Sequence, residues 1–331
     1  MAKLKDIKGT NVQSIAGDPS SPVEGQIWYN STSRVLKGVT ASPSIGSWST
    51  GGNMSTARYQ LGGAGLQDSA LAFGGSPPTA GRNNTEEYDG SSWTNGGNLS
   101  TARWAVEGNG TQTAGLAVGG QKNPGGVQDS TEEYDGSSWT AGGALGTARK
   151  EGATAGTQTS SFYATGQLGP GAHPGQTEEY DGSSWTSGGT MGTGSYGPGG
   201  TGTQTAGLAF GGANNSPYSV YNNTEEYDGT SWTAGGALGT ARYGMAPAVN
   251  GTQSAALSAG GRPPNLTATE GYDGTSWSTL ANLGTATYRF GGAGTQTAGI
   301  AFAGGPAASV INTTQEFTGP NVKTTVTIDV D

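Results

Sequence analysis

The ten residues Thr-Glu-Glu-Tyr-Asp-Gly-Ser-Ser-Trp-Thr at Thr85–Thr94 constrain this chain more than any other stretch, because they keep returning. They recur unchanged at Thr131–Thr140 and Thr177–Thr186, with one serine become threonine at Thr224–Thr233, and as a looser copy at Thr269–Ser278. Asp-Gly between two short β-prone runs is a hairpin signal, since a two-residue type I′ turn needs positive φ at both central positions. Each copy is therefore expected to form two short antiparallel strands, the first carrying the tyrosine and the second the tryptophan. An array of such units must stack them to bury what no single unit can.

The period confirms an array. Ser-Trp pairs fall at Trp48, Trp93, Trp139, Trp185, Trp232 and Trp277, spaced 45 to 47 residues apart. Between pairs the order is constant: a Gly-rich crossover (Gly142-Gly143-Ala-Leu145-Gly-Thr-Ala-Arg149), a small-residue strand, and a Gly-Thr-Gln-Thr turn such as Gly156–Thr159. A second strand such as Ala206–Phe210 follows, then a Gly-Gly doublet and a variable loop. The chain has 63 glycines and 15 prolines, close to low-complexity composition, but the glycines keep fixed offsets from aromatics, which argues for order. Four short strands per period in hairpin order predict an all-β propeller blade, with glycine and alanine at the crowded axis and Tyr and Trp between blades.

This order resembles the kelch repeat: a Gly-Gly doublet, a Tyr-Asp, a Trp about five residues on, and an arginine after the Trp strand. The doublets are Gly74-Gly75, Gly119-Gly120, Gly211-Gly212, Gly260-Gly261 and Gly304-Gly305, while the third unit has Thr165-Gly166-Gln167. The arginine matches at Arg58, Arg103, Arg149 and Arg242, with Thr193-Gly194 and Thr287 in its place in the fourth and sixth units. The array opens on a Trp strand without a Tyr partner, at Trp48, and ends on a Tyr-type strand without a Trp partner, at Thr314–Phe317. The resemblance thus implies a six-bladed kelch-like β-propeller over residues 45–319, its last blade closed by the N-terminal strand. A short N-terminal arm (1–44) and a C-terminal tail strand (320–331) flank it.

Within the arm, Pro22-Val-Glu-Gly-Gln-Ile-Trp28-Tyr29-Asn30-Ser-Thr followed by Leu36-Lys37 resembles a short module of tailed-bacteriophage structural and fibre proteins. That resemblance implies an anchoring role, with Trp28 and Tyr29 as the virion-anchoring residues. It also implies a virion location after synthesis in the host cytoplasm, consistent with an N-terminus that has no apolar run behind its lysines.

Little catalytic chemistry is legible. The chain has no cysteine, and His173 is the single histidine, so thiolate chemistry and a His-rich copper centre are excluded. Alternation sends Glu86 and Glu87 to opposite sides of their strand, which disfavours a calcium site in each repeat. A formal net charge of −9 without a Lys/Arg cluster disfavours nucleic acid. No cofactor, metal, membrane or enzymatic activity is expected. The variable loops all open on one face and hold Arg82, Lys122, His173, Tyr218, Tyr221 and Arg262, the expected ligand- or partner-binding residues. The expected function is a bacteriophage virion structural protein, a capsid decoration or tail/fibre-associated propeller. Its partners are other virion proteins through the arm and a host-surface glycan or protein through the loops, in many copies. The alternative is a bacterial carbohydrate-binding or adhesion propeller.

Overall fold

The structure, a computed structural model, describes residues 12–20, 26–41, 45–76, 81–169, 171–215, 217–305, 310–320 and 323–328. Among these residues all regular structure is β, and the chain divides into two compact units.

The larger unit, Trp48–Phe317, holds six four-stranded antiparallel sheets in chain order. Sheet one is Gly62–Leu66, Ser69–Phe73, Thr85–Tyr88 and Trp93–Asn95. Sheets two to four repeat this plan, beginning at Glu107–Thr111, Ala153–Thr157 and Gly199–Thr203. Sheet five begins with only Ala246–Pro247. Sheet six comprises Gly291–Gly294, Ala298–Phe302 and Thr314–Thr318, completed by the N-terminal strand Ser47–Gly51. In that sheet the Trp48 indole packs 5.1 Å from the Phe317 ring.

Four of the six first strands place a glycine where they meet a neighbour, and the other two, Ala153–Thr157 and Ala246–Pro247, are met by such a glycine. A Cβ on Gly63 would sit 2.5 Å from the Gly292 carbonyl oxygen, and one on Gly200 would sit 2.7 Å from the backbone of Thr154. Each first strand lies against the next, and that of sheet six lies against that of sheet one. Six backbone hydrogen bonds run round the same circle. Ala105 N–H donates to Gln60 O, Glu151 to Ala105, Gly197 to Glu151, Gly244 to Gly197, Arg289 to Gly244, and Gln60 to Arg289. All six residues have positive φ, between 52° and 64°. This all-β arrangement is consistent with a propeller-like fold.

Three sequence details are corrected. The Asp-Gly turn is not type I′: Tyr88 pairs with Trp93 across four intervening residues, and of these only Gly90 has positive φ. The Asp89 carboxylate instead accepts the Ser91 and Ser92 N–H groups, an Asx arrangement that holds the loop open to four residues. In the fourth sector Ser195, rather than Thr193-Gly194, occupies the arginine position, because its carbonyl takes the Gly166 N–H as Arg103 takes that of Gly75. In the sixth sector the doublet position is Ala303-Gly304, since Gly304 N–H reaches Arg58 O.

The smaller unit gathers both ends of the chain, Met1–Ser47 with Thr318–Asp331. Gln13–Ile15, Ile27–Asn30, Val35–Ala41 and Lys323–Thr327 form one four-stranded sheet in that order, so residues assigned from sequence to arm and tail share a sheet. Asp18 organises it, accepting from Trp28 Nε1 (3.2 Å) and Asn30 Nδ2 (2.6 Å) and pairing with Lys37 Nζ (2.7 Å). Trp28 is buried, while Tyr29 is exposed. Pro22–Gly25 of the anchoring motif and residues 306–309 of the last variable loop lie outside the described residues.

Candidate functional site

The repeated residues are consumed by architecture. In sheet two, Thr131 Oγ1 accepts from Trp185 Nε1 (2.9 Å) of sheet three. Glu132 accepts from buried Arg103 (3.0 Å) and from Ser100 N–H (2.7 Å). Glu133 accepts the Tyr180 hydroxyl (2.6 Å) of sheet three, and Tyr134 donates to Glu87 of sheet one. Gln158, from the next Gly-Thr-Gln-Thr turn, donates to the Gly115 and Tyr134 carbonyls. The same bonds cross from sheet six to sheet one, where Tyr88 donates to Glu316 (2.5 Å), Trp93 to Thr314 (2.9 Å) and Gln67 to the Phe317 carbonyl (2.8 Å). Burial, foremost, pushes these buried tyrosines up to about 12, with the accepting carboxylate adding to it. The guanidinium of Arg58 is pulled down to about 10 by its burial, with Glu86 opposing.

Residues left over for binding must be those that do not repeat. Two ends of the ring can be told apart by their neighbours. At one, the Asp-Gly loops touch the Gln-Thr turns, a Cβ on Gly90 falling 3.3 Å from Asp68 Cβ. At the other, the variable loops bridge to the crossovers, as in Tyr59↔Ser76, Trp104↔Gln121, Lys150↔Gln167, Tyr196↔Ala213 and Tyr243↔Arg262.

On this loop end the residue following each arginine position is Tyr59, Trp104, Lys150, Tyr196, Tyr243 or Tyr288, five aromatics and one lysine around the axis. The next residue in each case belongs to the backbone ring. Three of its side chains meet over the axis: Glu151 pairs with Arg289 (3.3 Å) and accepts from Gln60 Nε2 (2.5 Å). Beneath them lies a cavity of about 70 Å³ lined by Glu107, Thr154 and Val249, among others, room for water rather than an organic ligand. Burial, reinforced by Glu151, raises the Glu107 carboxyl well above the usual range and favours its neutral form. At the far end the Ala248–Gly251 segment spans the axis. There Asn250 Nδ2 donates to Gly110 O of sheet two (3.1 Å) and Ala248 O accepts from Thr201 of sheet four (2.7 Å).

No protein-family model matches the chain, and no curated protein matches it. The site must stand on its own geometry.

The residues proposed from sequence divide into two groups. His173, Tyr218 and Arg262 come together through the axial aromatics. The His173 ring is 5.0 Å from that of Tyr196, Tyr196 is 5.3 Å from Tyr243, and the hydroxyls of Tyr218 and Tyr196 interact with that of Tyr243. The Arg262 guanidinium lies over Tyr288 (4.7 Å) and Tyr243 (5.8 Å). Arg82 and Tyr221 instead stand over the crossovers, their carbonyls accepting from Arg103 and Arg242 N–H. Lys122 lies on a small hairpin of Gln121–Lys122 with Gly126–Val127. Sequence reading passed over the axial set itself. Its signal was present, as a non-glycine, mostly aromatic position directly after each arginine position, but it lies in no repeated motif.

Cations are divided unevenly between the two ends, although the loop end also carries Asp129 and Glu151. Arg58, Arg103, Arg149 and Arg242 are locked in glutamate pairs. Every other cation between Trp48 and Phe317 (Arg82, Lys122, Lys150, Arg262 and Arg289) belongs to the loop end. The turn end carries Asp68, Asp89, Asp135, Asp181, Asp228 and Asp273 and no cation.

Proposed function

We propose that this chain is a non-catalytic structural protein of a bacteriophage particle, a six-bladed kelch-like β-propeller that displays its loop end. The observation that carries the reading is the division of labour just described: repeated polar side chains hold sheet to sheet, and variable, cationic and aromatic ones collect at one end of the ring. The cyclic hydrogen bonds and the closing strand at Trp48 support six blades. The phage assignment rests on the resemblance of Pro22–Thr32 with Leu36-Lys37, and the gathering of both chain ends into one small sheet supports a separate attachment unit, in which Tyr29 is the exposed aromatic.

Mass spectrometry of purified particles from the source tests this. The protein is expected at a fixed copy number per particle, and a Tyr29→Ala variant is expected to be incorporated less. Its absence from particles, with recovery on the bacterial surface instead, would favour the adhesion alternative.

A further inference from the structure

Arg262 is held but not neutralised. Its guanidinium rests on two tyrosine rings, its Nε is buried without a hydrogen-bond partner, and among the described residues no carboxylate lies within ion-pair distance. Tyr218 meets the same Tyr243 and is 57% exposed, the most exposed large apolar side chain described. Lys150 stands at the axis too and opens on a cleft of about 450 Å³ lined by Gln121, Val127, Gln167, Gly169 and Asn215. That volume suits a small ligand, and its lining combines apolar surface with amide side chains.

We propose that the loop end binds an acidic oligosaccharide. A sugar carboxylate meets Arg262, whose planar donors suit a two-point contact and whose aromatic bed fixes it in advance. The C–H face of the sugar ring lies on Tyr218, which offers flat apolar area at low entropic cost. The amides of Gln167 and Asn215 exchange hydrogen bonds with hydroxyls further along, and Lys150, whose Nζ donates to Gln121 Oε1, supplies a second cation. Two carboxylates of the loop end oppose this: Glu151 is already engaged by Arg289 and Gln60, and Asp129 stands over the crossover at Leu145. The six aspartates of the turn end orient the molecule, since an anionic chain is repelled there and attracted here.

The proposal deepens the display reading and can fail separately from it. Calorimetry on the full chain would compare a tetrasaccharide alternating glucuronic acid with N-acetylglucosamine, the neutral N-acetylglucosamine tetramer and a tetraglutamate peptide. The acidic sugar is expected to bind saturably, with the other two weaker by about tenfold or more. Arg262→Gln and Tyr218→Ala should each weaken it by about tenfold, and Asp68→Asn on the opposite end by less than about twofold. Should Arg262→Gln lower the thermal midpoint, Lys150→Gln repeats the test. No binding, equal binding of the neutral sugar, equal binding of tetraglutamate or indifference to the Arg262 and Lys150 changes would each overturn it. Absence from particles with this pattern intact would remove the virion reading and leave the sugar site standing.

Discussion

Four sectors of the ring carry a buried arginine and two do not, and the difference shows what the repeat is for. In the four, the arginine side chain is wholly buried, donates to two or three backbone carbonyls, and pairs with the first glutamate of the Thr-Glu-Glu-Tyr strand. In the sixth sector Thr287 replaces the arginine and Gln315 replaces the glutamate, so both charges leave together. Gln315 keeps the backbone contact, accepting from Gly284 N–H (2.7 Å). The fourth sector gives up only the arginine. Its Glu225 stays buried, accepting from Gly192 (2.7 Å) and Thr193 (3.0 Å) N–H and lying 3.4 Å from Asn223 Nδ2. The neighbouring Glu–Tyr contact shows the same paired loss, for Gly271 stands where the second glutamate would be and Phe317 lacks the hydroxyl that would reach it. A buried partner here either leaves with its counterpart, as in the sixth sector, or is given substitute donors, as Glu225 is, because a lone buried partner is costly.

The largest test of that contrast is Arg103→Met. Leaving Glu132 buried without its cation should cost about 3–5 kcal/mol, read from denaturant unfolding. A loss below about 1 kcal/mol would show that the pair is ornamental. Arg103→Thr with Glu132→Gln imports the sixth sector's solution and should regain at least half of what the single change loses. No recovery would mean that packing of the arginine stem, not its charge, is what matters.

Alkaline pH probes the tyrosine set. Tyr88, Tyr134, Tyr180, Tyr227 and Tyr272 are raised from 10.0 to about 12 in the folded chain. A raised folded value means that the unfolded chain gives up protons first. The stabilisation is therefore intact below pH 10 and is lost as pH climbs through 12. Thermal midpoints should fall steeply across that window, and Tyr134→Phe should make the fall shallower. A flat profile to pH 12 would contradict the buried hydroxyl–carboxylate contacts.

The smallest effect expected is for Glu225→Gln. With no arginine opposite, exchanging carboxylate for amide loses one backbone N–H contact and should cost about 1–2 kcal/mol, whereas the same exchange at Glu132 should cost about 3 kcal/mol or more. Equal costs at the two positions would erase the distinction between the sectors.

Much of this was legible beforehand because the repeat states it several times over. The strand order, the axial glycines and the closing strand at Trp48 follow from spacing. The loop around Asp89 was misjudged because Asp-Gly chemistry has two outlets, and the side chain capping Ser91 and Ser92 prevailed over a tighter backbone turn. His173, Tyr218 and Arg262 were legible as candidates because they stand out against a neutral-polar background. That they converge, while Arg82, Tyr221 and Lys122 do not share their aromatic bed, was not legible.

By itself the sequence determined the all-β class, the period and the partner types needed at each repeated position, since those depend on local propensity and on a pattern written five or six times. Only the tertiary structure decided what lies at the axis. Tyr59, Trp104, Lys150, Tyr196, Tyr243 and Tyr288 are some 45 residues apart along the chain, and each is unremarkable in its own repeat. They become one surface because glycines in four of the six first strands allow close approach, and a circle of backbone hydrogen bonds holds the following residue of each repeat in place. A surface assembled from one residue per repeat exists only when all six sheets come together, and that is a property of the whole chain rather than of any stretch in it.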